Sequence, residues 1–307
     1  MSENKIPQSE ITRVKGLGFL WDKRTTDRFN GRVITRNGKI TAEECAVVAE
    51  AAKKFGSGEI AMTTRLTMEI QGVPFENIEP LRQYLKEQAN LETGGTGAKV
   101  RPVVSCKGTT CQYGLIDTYA LSQKIHERFF VGYNQVKLPH KFKIAVGGCP
   151  NNCVKPDLND VGIVGQRIPL VHPELCKGCK MCEKECPMHV AKVVEGKATI
   201  DPNTCNHCGR RIRKCPFHAI EAQTTGYQVY LGGRWGKRTA MGRCLDVIFT
   251  SEEEVLNMVE KCMLLFKAYG EPKERFADTV TRLGFDEVKK MLMSDELLER
   301  KDEILAQ

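Results

Sequence analysis

The chain has 307 residues, 41% hydrophobic and 27% charged, enough for two or three packed domains. No stretch reaches the roughly 18 apolar residues of a membrane helix, and the opening MSENKIPQSEITRVKG has no signal-peptide core, so the chain reads as cytoplasmic. The formal net charge of +8 reads either as a solvated basic surface or as a match to an anionic cofactor, substrate or partner; nucleic acid is disfavoured, since no Lys/Arg run or reader motif is present.

In chain order, FNGRVITRNGKI (29–40) reads as a strand and turn. TAEECAVVAEAAKKFG (41–56) reads as a helix: Thr41 and Glu44 have capping-box spacing, Cys45, Val48, Ala52 and Phe55 share a face, and Gly56 ends it. EIAMTTRLTMEIQGV (59–73) is strand-like and ENIEPLRQYLKEQAN (76–90) a second helix. This β-α-β-α order suits a small α/β sandwich of ferredoxin-like topology. In KFKIAVGG (141–148), Phe142, Ile144 and Val146 alternate with Lys141, Lys143 and Ala145, so a strand here turns both lysines to one face. TGYQVYLGGRWGKRTAMGRCLDVIF (225–249) returns to strands around a glycine-rich turn carrying Arg234, Lys237, Arg238 and Arg243. SEEEVLNMVEKCMLLFKAYG (251–270) is an amphipathic helix capped by Ser251 and Glu254 and ended by Gly270.

Fourteen cysteines is a high count, and in a reducing compartment it points to metal rather than disulfides. Cys45, Cys244 and Cys262 fit no metal spacing and read as core or near-core residues. CKGCKMCEKECP places Cys176, Cys179, Cys182 and Cys186 in the C-x2-C-x2-C-x3-C-P run of iron–sulfur proteins. CNHCGRRIRKCP repeats it with Cys205, Cys208 and Cys215, but Arg211 stands where the third cysteine belongs. Residues 168–222 thus resemble bacterial two-cluster ferredoxins. The resemblance implies one 4Fe–4S cluster on Cys176, Cys179, Cys182 and Cys215, and leaves Cys186, Cys205 and Cys208 for an incomplete second site. That site could hold a 3Fe–4S cluster, hold 4Fe–4S with an outside ligand, or stay empty; the persistence of its three cysteines makes an occupied site the expectation.

The remaining cysteines form a separate set. Cys106 and Cys111 are C-x4-C, and Cys149 and Cys153 are C-x3-C in GGCPNNC. With LPHKFKIAVGGCPNNC, this set resembles the sirohaem-containing sulfite and nitrite reductases, in a layout most like the catalytic subunit of anaerobic sulfite reductases; the first pair is one residue shorter than in many members. The resemblance implies a 4Fe–4S cluster on Cys106, Cys111, Cys149 and Cys153, with Cys153 also the axial ligand of sirohaem. It implies that Lys141, Lys143, Arg28 and Arg101 bind the substrate anion, that Arg65 of TTRLTMEIQG faces sirohaem carboxylates, and that Asn151 lies beside the haem. Arg234, Lys237, Arg238 and Arg243 suit the remaining carboxylates, because guanidinium forks bind them bidentately.

The expected fold class is α+β. A ferredoxin-like α/β half-domain (1–92) precedes a sirohaem and 4Fe–4S reductase domain (93–167 and 223–307), interrupted by a ferredoxin module (168–222). The expected function is six-electron reduction of sulfite to sulfide, with electrons entering through the module. Nitrite reduction to ammonia uses the same parts, and a different class is an electron-transfer subunit without catalytic haem. The partners implied by the resemblance are an electron-donor protein and, because many family members carry two copies of this unit in one chain whereas TTRLTMEIQG and GGCPNNC each occur once here, a second copy or a related subunit.

Overall fold

The structure, a computed structural model, describes residues 6–306. The chain opens with α1 (Gln8–Gly16), then β1 (Phe19–Trp21), β2 (Arg28–Val33), α2 (Ala42–Phe55), β3 (Ile60–Met62), β4 (Met68–Pro74) and α3 (Ile78–Ala89). The four strands form one antiparallel sheet in the order β1-β2-β4-β3. Phe19, Phe29, Val48, Ile70, Leu81 and Leu85 are fully buried between this sheet and its helices. The capping box of α2 forms as the spacing predicts: Glu44 N–H donates to the Thr41 hydroxyl and Thr41 N–H to the Glu44 carboxylate.

Two readings of this half need correction. Residues 59–73 are a hairpin, not one strand. Its turn is closed by a bond from Thr63 N–H to Thr67 O of 2.9 Å and by the two threonine hydroxyls at 2.6 Å, with Leu66 in the left-handed region at φ 58°. No glycine, proline or asparagine announces that turn, so the apolar run reads straight through it. Cys45 is exposed rather than near-core, whereas Val48 and Ala52 on the same helix are buried.

The second half adds β5 (Val104–Ser105), α4 (Thr118–Ile125), β6 (Ile144–Gly147) and β7 (Val161–Val171). After an excursion come β10 (Ile220–Leu231), β11 (Arg243–Phe249), α7 (Glu252–Tyr269), α8 (Phe276–Leu283), α9 (Phe285–Met293), α10 (Glu296–Glu299) and α11 (Lys301–Ala306). The excursion holds α5 (Met181–Lys184), the β8 (Ala191–Val194) and β9 (Lys197–Ile200) hairpin, and α6 (Arg210–Lys214). The sheet runs β11-β10-β7-β6-β5, parallel from β5 to β7 and antiparallel beyond. β6 lies inside the sheet, between β7 and β5, and all four of its residues are buried, so the alternation read in 141–148 holds only for Lys141, Phe142 and Lys143 before the strand enters the sheet.

β7 and β10 pair from Val171↔Ile220 inward, so 172–219 hang from the end of one long ribbon. The opposite face is covered by α7, whose capping box forms and whose Cys262 is fully buried. Phe142 packs between Phe266 of α7 and Phe276 of α8, with ring centroids 5.9 Å and 5.3 Å away. The aromatic wedge that separates the two lysines is thereby anchored in the core. Among the described residues, no helix is long and apolar enough to cross a membrane.

Candidate functional site

Lys141 to Lys143 run between two backbone neighbours. On one side Phe142 N–H donates to Lys99 O at 3.0 Å and Arg101 N–H to Phe142 O at 2.8 Å. On the other, Lys143 N–H donates to the Asp160 carboxylate at 2.8 Å, and Val161 N–H to Lys143 O at 3.1 Å. Asp160 is fully buried and also accepts from Arg275 Nη2 at 3.1 and 3.2 Å. Both lysines stay partly exposed while Phe142 is buried beneath them.

Arg65 reaches the same place from the Thr63–Thr67 turn. It donates to Pro102 O at 3.1 Å, to the Asn159 side chain at 2.8 Å and to Ile144 O at 3.1 Å. The expectation that it faces carboxylates of a bound group meets this different arrangement: the guanidinium is sunk into the joint between the two halves, where backbone carbonyls take its donors. Arg101 donates to Gly95 O at 2.6 Å, and Arg32 pairs with Glu69 at 3.2 Å.

The result is a knot of positive charge. Burial pushes the Lys143 amine down to about 8, and Arg65, Arg275 and Lys141 push it the same way. Burial, then Arg275 and Arg101, lowers Lys141. Burial, with Arg32 and Arg275, pushes Arg101 down to about 10. The Nε atoms of Arg32, Arg101 and Arg275 are buried with no hydrogen-bond partner. A buried donor left unpaired costs about 1–3 kcal/mol; each of these guanidiniums has another partner, Glu69, Gly95 O or Asp160, and the three remaining N–H groups are donors to spare.

Arg28 does not join this cluster. It sits at the outer end of β2, 44% exposed, against Asp27 at 3.6 Å and Gly72 O at 3.3 Å. Arg32, on the same face of the strand but four residues further in, lies near Arg101 and Arg65 instead. Arg32, Asp160 and Arg275 are the residues that sequence reasoning missed.

The cysteine loops meet beside this region. Gly148 N–H donates to Cys106 Sγ at 3.1 Å, and burial pushes the Cys149 thiol up, with Cys106, Cys153 and Cys111 adding to it. Cys153 is exposed, whereas the other three are only partly so, and Asn151 is exposed beside it. Among the described residues no three His, Cys, Asp or Glu side chains converge on a single metal ion. A cubane asks for something else, one cysteine per iron with the sulfurs apart, and Cys106, Cys111 and Cys153 all lie near enough to Cys149 for their charges to bear on it.

The close approach of the two cysteine loops depends on two glycines. A Cβ on Gly148 would lie 2.9 Å from Gly108 Cα, and one on Gly108 would lie 2.7 Å from the Thr118 methyl. Gly148→Ala is therefore expected to force the two cysteine loops apart and to lose most of the iron held there. Iron analysis of the folded variant checks it, and a parent-like content would contradict it.

The basic hairpin tip packs on the loop after Cys153, through Gly242 N–H to Asp157 O at 2.7 Å and Lys155 Nζ 5.7 Å from the Trp235 ring. Lys237 and Arg238 are exposed there and free to face an anionic group. Arg234 is not: it donates to Asp278 at 2.6 Å and to Arg238 O at 2.9 Å, because α8 brings a carboxylate under it. Arg243 stacks on Phe285 at 3.9 Å. A cleft of about 640 Å³ borders the Cys149–Cys153 turn through Pro150 and Asn152; it is also lined by Asp157, Gln166, His207 and Asp246 and by no lysine or arginine, so it does not suit a small anion.

In the excursion, Cys176, Cys179, Cys182 and Cys215 line one cavity with Met181, Phe217 and Ile220. Arg213, two residues before Cys215, donates to Gln112 O at 2.5 Å and Gly114 O at 3.3 Å, next to Cys111. The two cysteine sets are thus tied together by one side chain. The third set behaves differently, with the Arg211 guanidinium between Cys186 and Cys205.

Residues 96–301 match the nitrite and sulphite reductase 4Fe-4S domain, and 21–88 match the nitrite/sulfite reductase ferredoxin-like half domain. The chain is 34% identical over 260 residues to a coenzyme F420-dependent sulfite reductase of Methanocaldococcus jannaschii, covering 82% of this chain but only 41% of that protein. It is 31% identical over 240 residues to one subunit of the anaerobic sulfite reductase of Salmonella typhimurium, covering 72% of this chain and 69% of that one. Its fold resembles that of dissimilatory sulfite reductase I, with a TM-score of 0.72 at 21% identity over 88% of this chain and 70% of that one.

Proposed function

The chain belongs to the nitrite and sulphite reductase family, and from that membership we propose that it reduces sulfite to sulfide with six electrons, on sirohaem coupled to a 4Fe–4S cluster. The observation that carries the reading is the cation knot, with Lys141, Lys143, Arg32, Arg101 and Arg275 around three unpartnered guanidinium nitrogens. Five cations against the two carboxylates Glu69 and Asp160 leave an excess of positive charge for which an electron carrier with no catalytic site has no use. Nitrite reduction to ammonia is the alternative, since the same cations suit either anion.

Cys106, Cys111, Cys149 and Cys153 are the residues that would hold the cluster, and by the family resemblance Cys153, whose thiol is exposed, would also serve the haem. Lys237 and Arg238 would neutralise sirohaem carboxylates, with Asn151 beside the ring. Bound, the coupled pair supplies low-potential electrons and a metal to which the anion attaches. The chain's own part is to gather the anion, neutralise it and deliver protons. Lys141 and Lys143 point their amines from one face of a strand whose backbone Asp160 and Arg101 hold still. With its value near 8, Lys143 is charged at neutral pH yet gives up a proton more readily than an ordinary lysine of about 10.4.

That depressed value sets a pH limb. The Lys143 cation is present below about 8 and lost above it, so kcat/KM for the anion is expected to fall as pH rises through that value. Lys143→Arg should abolish this limb, which separates it from the substrate's own titration. A parent profile that stays flat through pH 8 to 9 would contradict the assignment.

The excursion is proposed as the electron entry point, a ferredoxin module on Cys176, Cys179, Cys182 and Cys215. Arg213→Ala should release it from the Cys111 loop and slow reduction of the haem by an external donor roughly tenfold, while dithionite-driven turnover at saturation changes little. Equal haem reduction rates in parent and variant would remove Arg213 from the path. An electron-donor protein, and a second copy or related subunit, complete the proposed assembly. The experiment that separates the substrates is comparison of kcat/KM for sulfite and nitrite in the fully loaded protein.

A further inference from the structure

The ferredoxin resemblance implies two clusters, and the two sites differ sharply in this chain. The first keeps a cavity among Cys176, Cys179, Cys182 and Cys215. At the second, a side chain stands between the sulfurs instead. Arg211 stands at the position of its third cysteine and is 4% exposed, between Cys186 at 1% and Cys205 at 7%. Its Nη1 lies 2.5 Å from Cys186 Sγ and its Nη2 3.0 Å from Cys205 Sγ. Among the described residues these two sulfurs are its only side-chain partners.

A guanidinium that deep in protein is found only when it is paired. Here the pairing is a fork, with one nitrogen on each sulfur. The same two sulfurs also accept backbone N–H groups, Val190 on Cys186 at 3.3 Å and His207 on Cys205 at 3.4 Å. These contacts resemble those that cluster sulfur ligands receive, but the group at their centre is cationic and organic. Arginine stays protonated and offers no lone pair to a metal. Its planar fork also occupies the space into which a cubane would fit. The second cluster therefore does not fit the residues present.

We infer that Arg211 closes the second cluster site, its guanidinium standing between Cys186 and Cys205 where the iron–sulfur group would lie, so that the module carries a single 4Fe–4S cluster. The inference rests on the proposed identity of the excursion as a ferredoxin module. It gives electrons entering the chain one relay, tied by Arg213 to the Cys111 loop, instead of two in series. It also makes Arg211 the structural substitute for a lost cluster, holding together the turns that iron would otherwise fasten.

The test is iron content and electron paramagnetic resonance of the full chain, reconstituted anaerobically with iron and sulfide. Counting about four irons per cubane, the parent should hold about eight cluster irons and show no oxidised 3Fe signal. Arg211→Cys restores the complete C-x2-C-x2-C-x3-C pattern and should gain about four more, with a second reduced-cluster signal. Either about eleven irons with an oxidised 3Fe signal, or about twelve, in the parent would overturn the inference. So would a folded Arg211→Cys protein that gains no iron. Neither count depends on turnover, so a chain that fails to reduce sulfite would leave this result readable.

Discussion

Lys143→Ala is expected to lose sulfite turnover by roughly 30-fold to a thousandfold while keeping its cofactors. A unit charge 4 Å from the anion is worth about 4 kcal/mol gross at an effective dielectric of 20, and partial exposure reduces this towards about 2. At 1.36 kcal/mol per tenfold, about 2–4 kcal/mol spans that range. The backbone should survive the change, because what holds the strand is Phe142 between Phe266 and Phe276, and the main-chain bonds to Asp160 and Arg101. Activity within a few-fold of the parent at full cofactor loading would take the anion away from Lys143. Phe142→Ala should behave in the opposite way. Emptying that aromatic slot costs about 3–5 kcal/mol of stability, so it should lower the melting temperature as well as activity, which Lys143→Ala should not.

Cys153→Ser is expected to be the most damaging single change at the metal centre. Serine replaces a soft thiolate by a hard hydroxyl, which iron–sulfur centres bind poorly. Losing an outer-shell partner of a metal costs about 10–100-fold, and losing a ligand proposed to serve two centres should exceed that. On the proposed role of Cys153 at both centres, its loss should change the haem spectrum and abolish magnetic coupling between haem and cluster. Cys106→Ser should act on the cluster first, since Cys106 faces inward to Gly148 N–H. Unchanged haem bands with intact coupling in Cys153→Ser would end the bridging assignment.

What the sequence made legible was local. The capping boxes at Thr41/Glu44 and Ser251/Glu254 formed as spaced, because a cap is a contact across three residues and needs nothing from elsewhere. The first cysteine run was readable for the same reason, as its spacing is its geometry. The failures were of longer range. Arg28 and Arg32 lie on one face of β2, and a pattern match gives no reason to prefer one. Only the sheet's position shows that Arg28 ends at solvent and Arg32 at the cations. Asp160 and Arg275 are 115 residues apart in sequence, and nothing local in either marks the pair that fixes the Lys143 strand. Arg65 was found as a motif, but its burial under Pro102 and Ile144 carbonyls depends on how two halves dock. Arg234 looked free among glycines until α8 supplied Asp278. Charge clusters are assembled by tertiary structure, so a sequence names their members without saying which are already paired.

The central claim is that the cation knot beside the Cys106–Cys153 loops is where a small oxyanion is reduced. The direct measurement is sulfide formed per electron consumed by the chain loaded with sirohaem and iron–sulfur clusters, using a low-potential dye as donor, with ammonia from nitrite measured in parallel. The account predicts stoichiometric sulfide, a kcat/KM for sulfite above that for nitrite, and loss of both in Lys143→Ala. Full cofactor loading with neither product formed, or products formed equally by parent and Lys143→Ala, would contradict it.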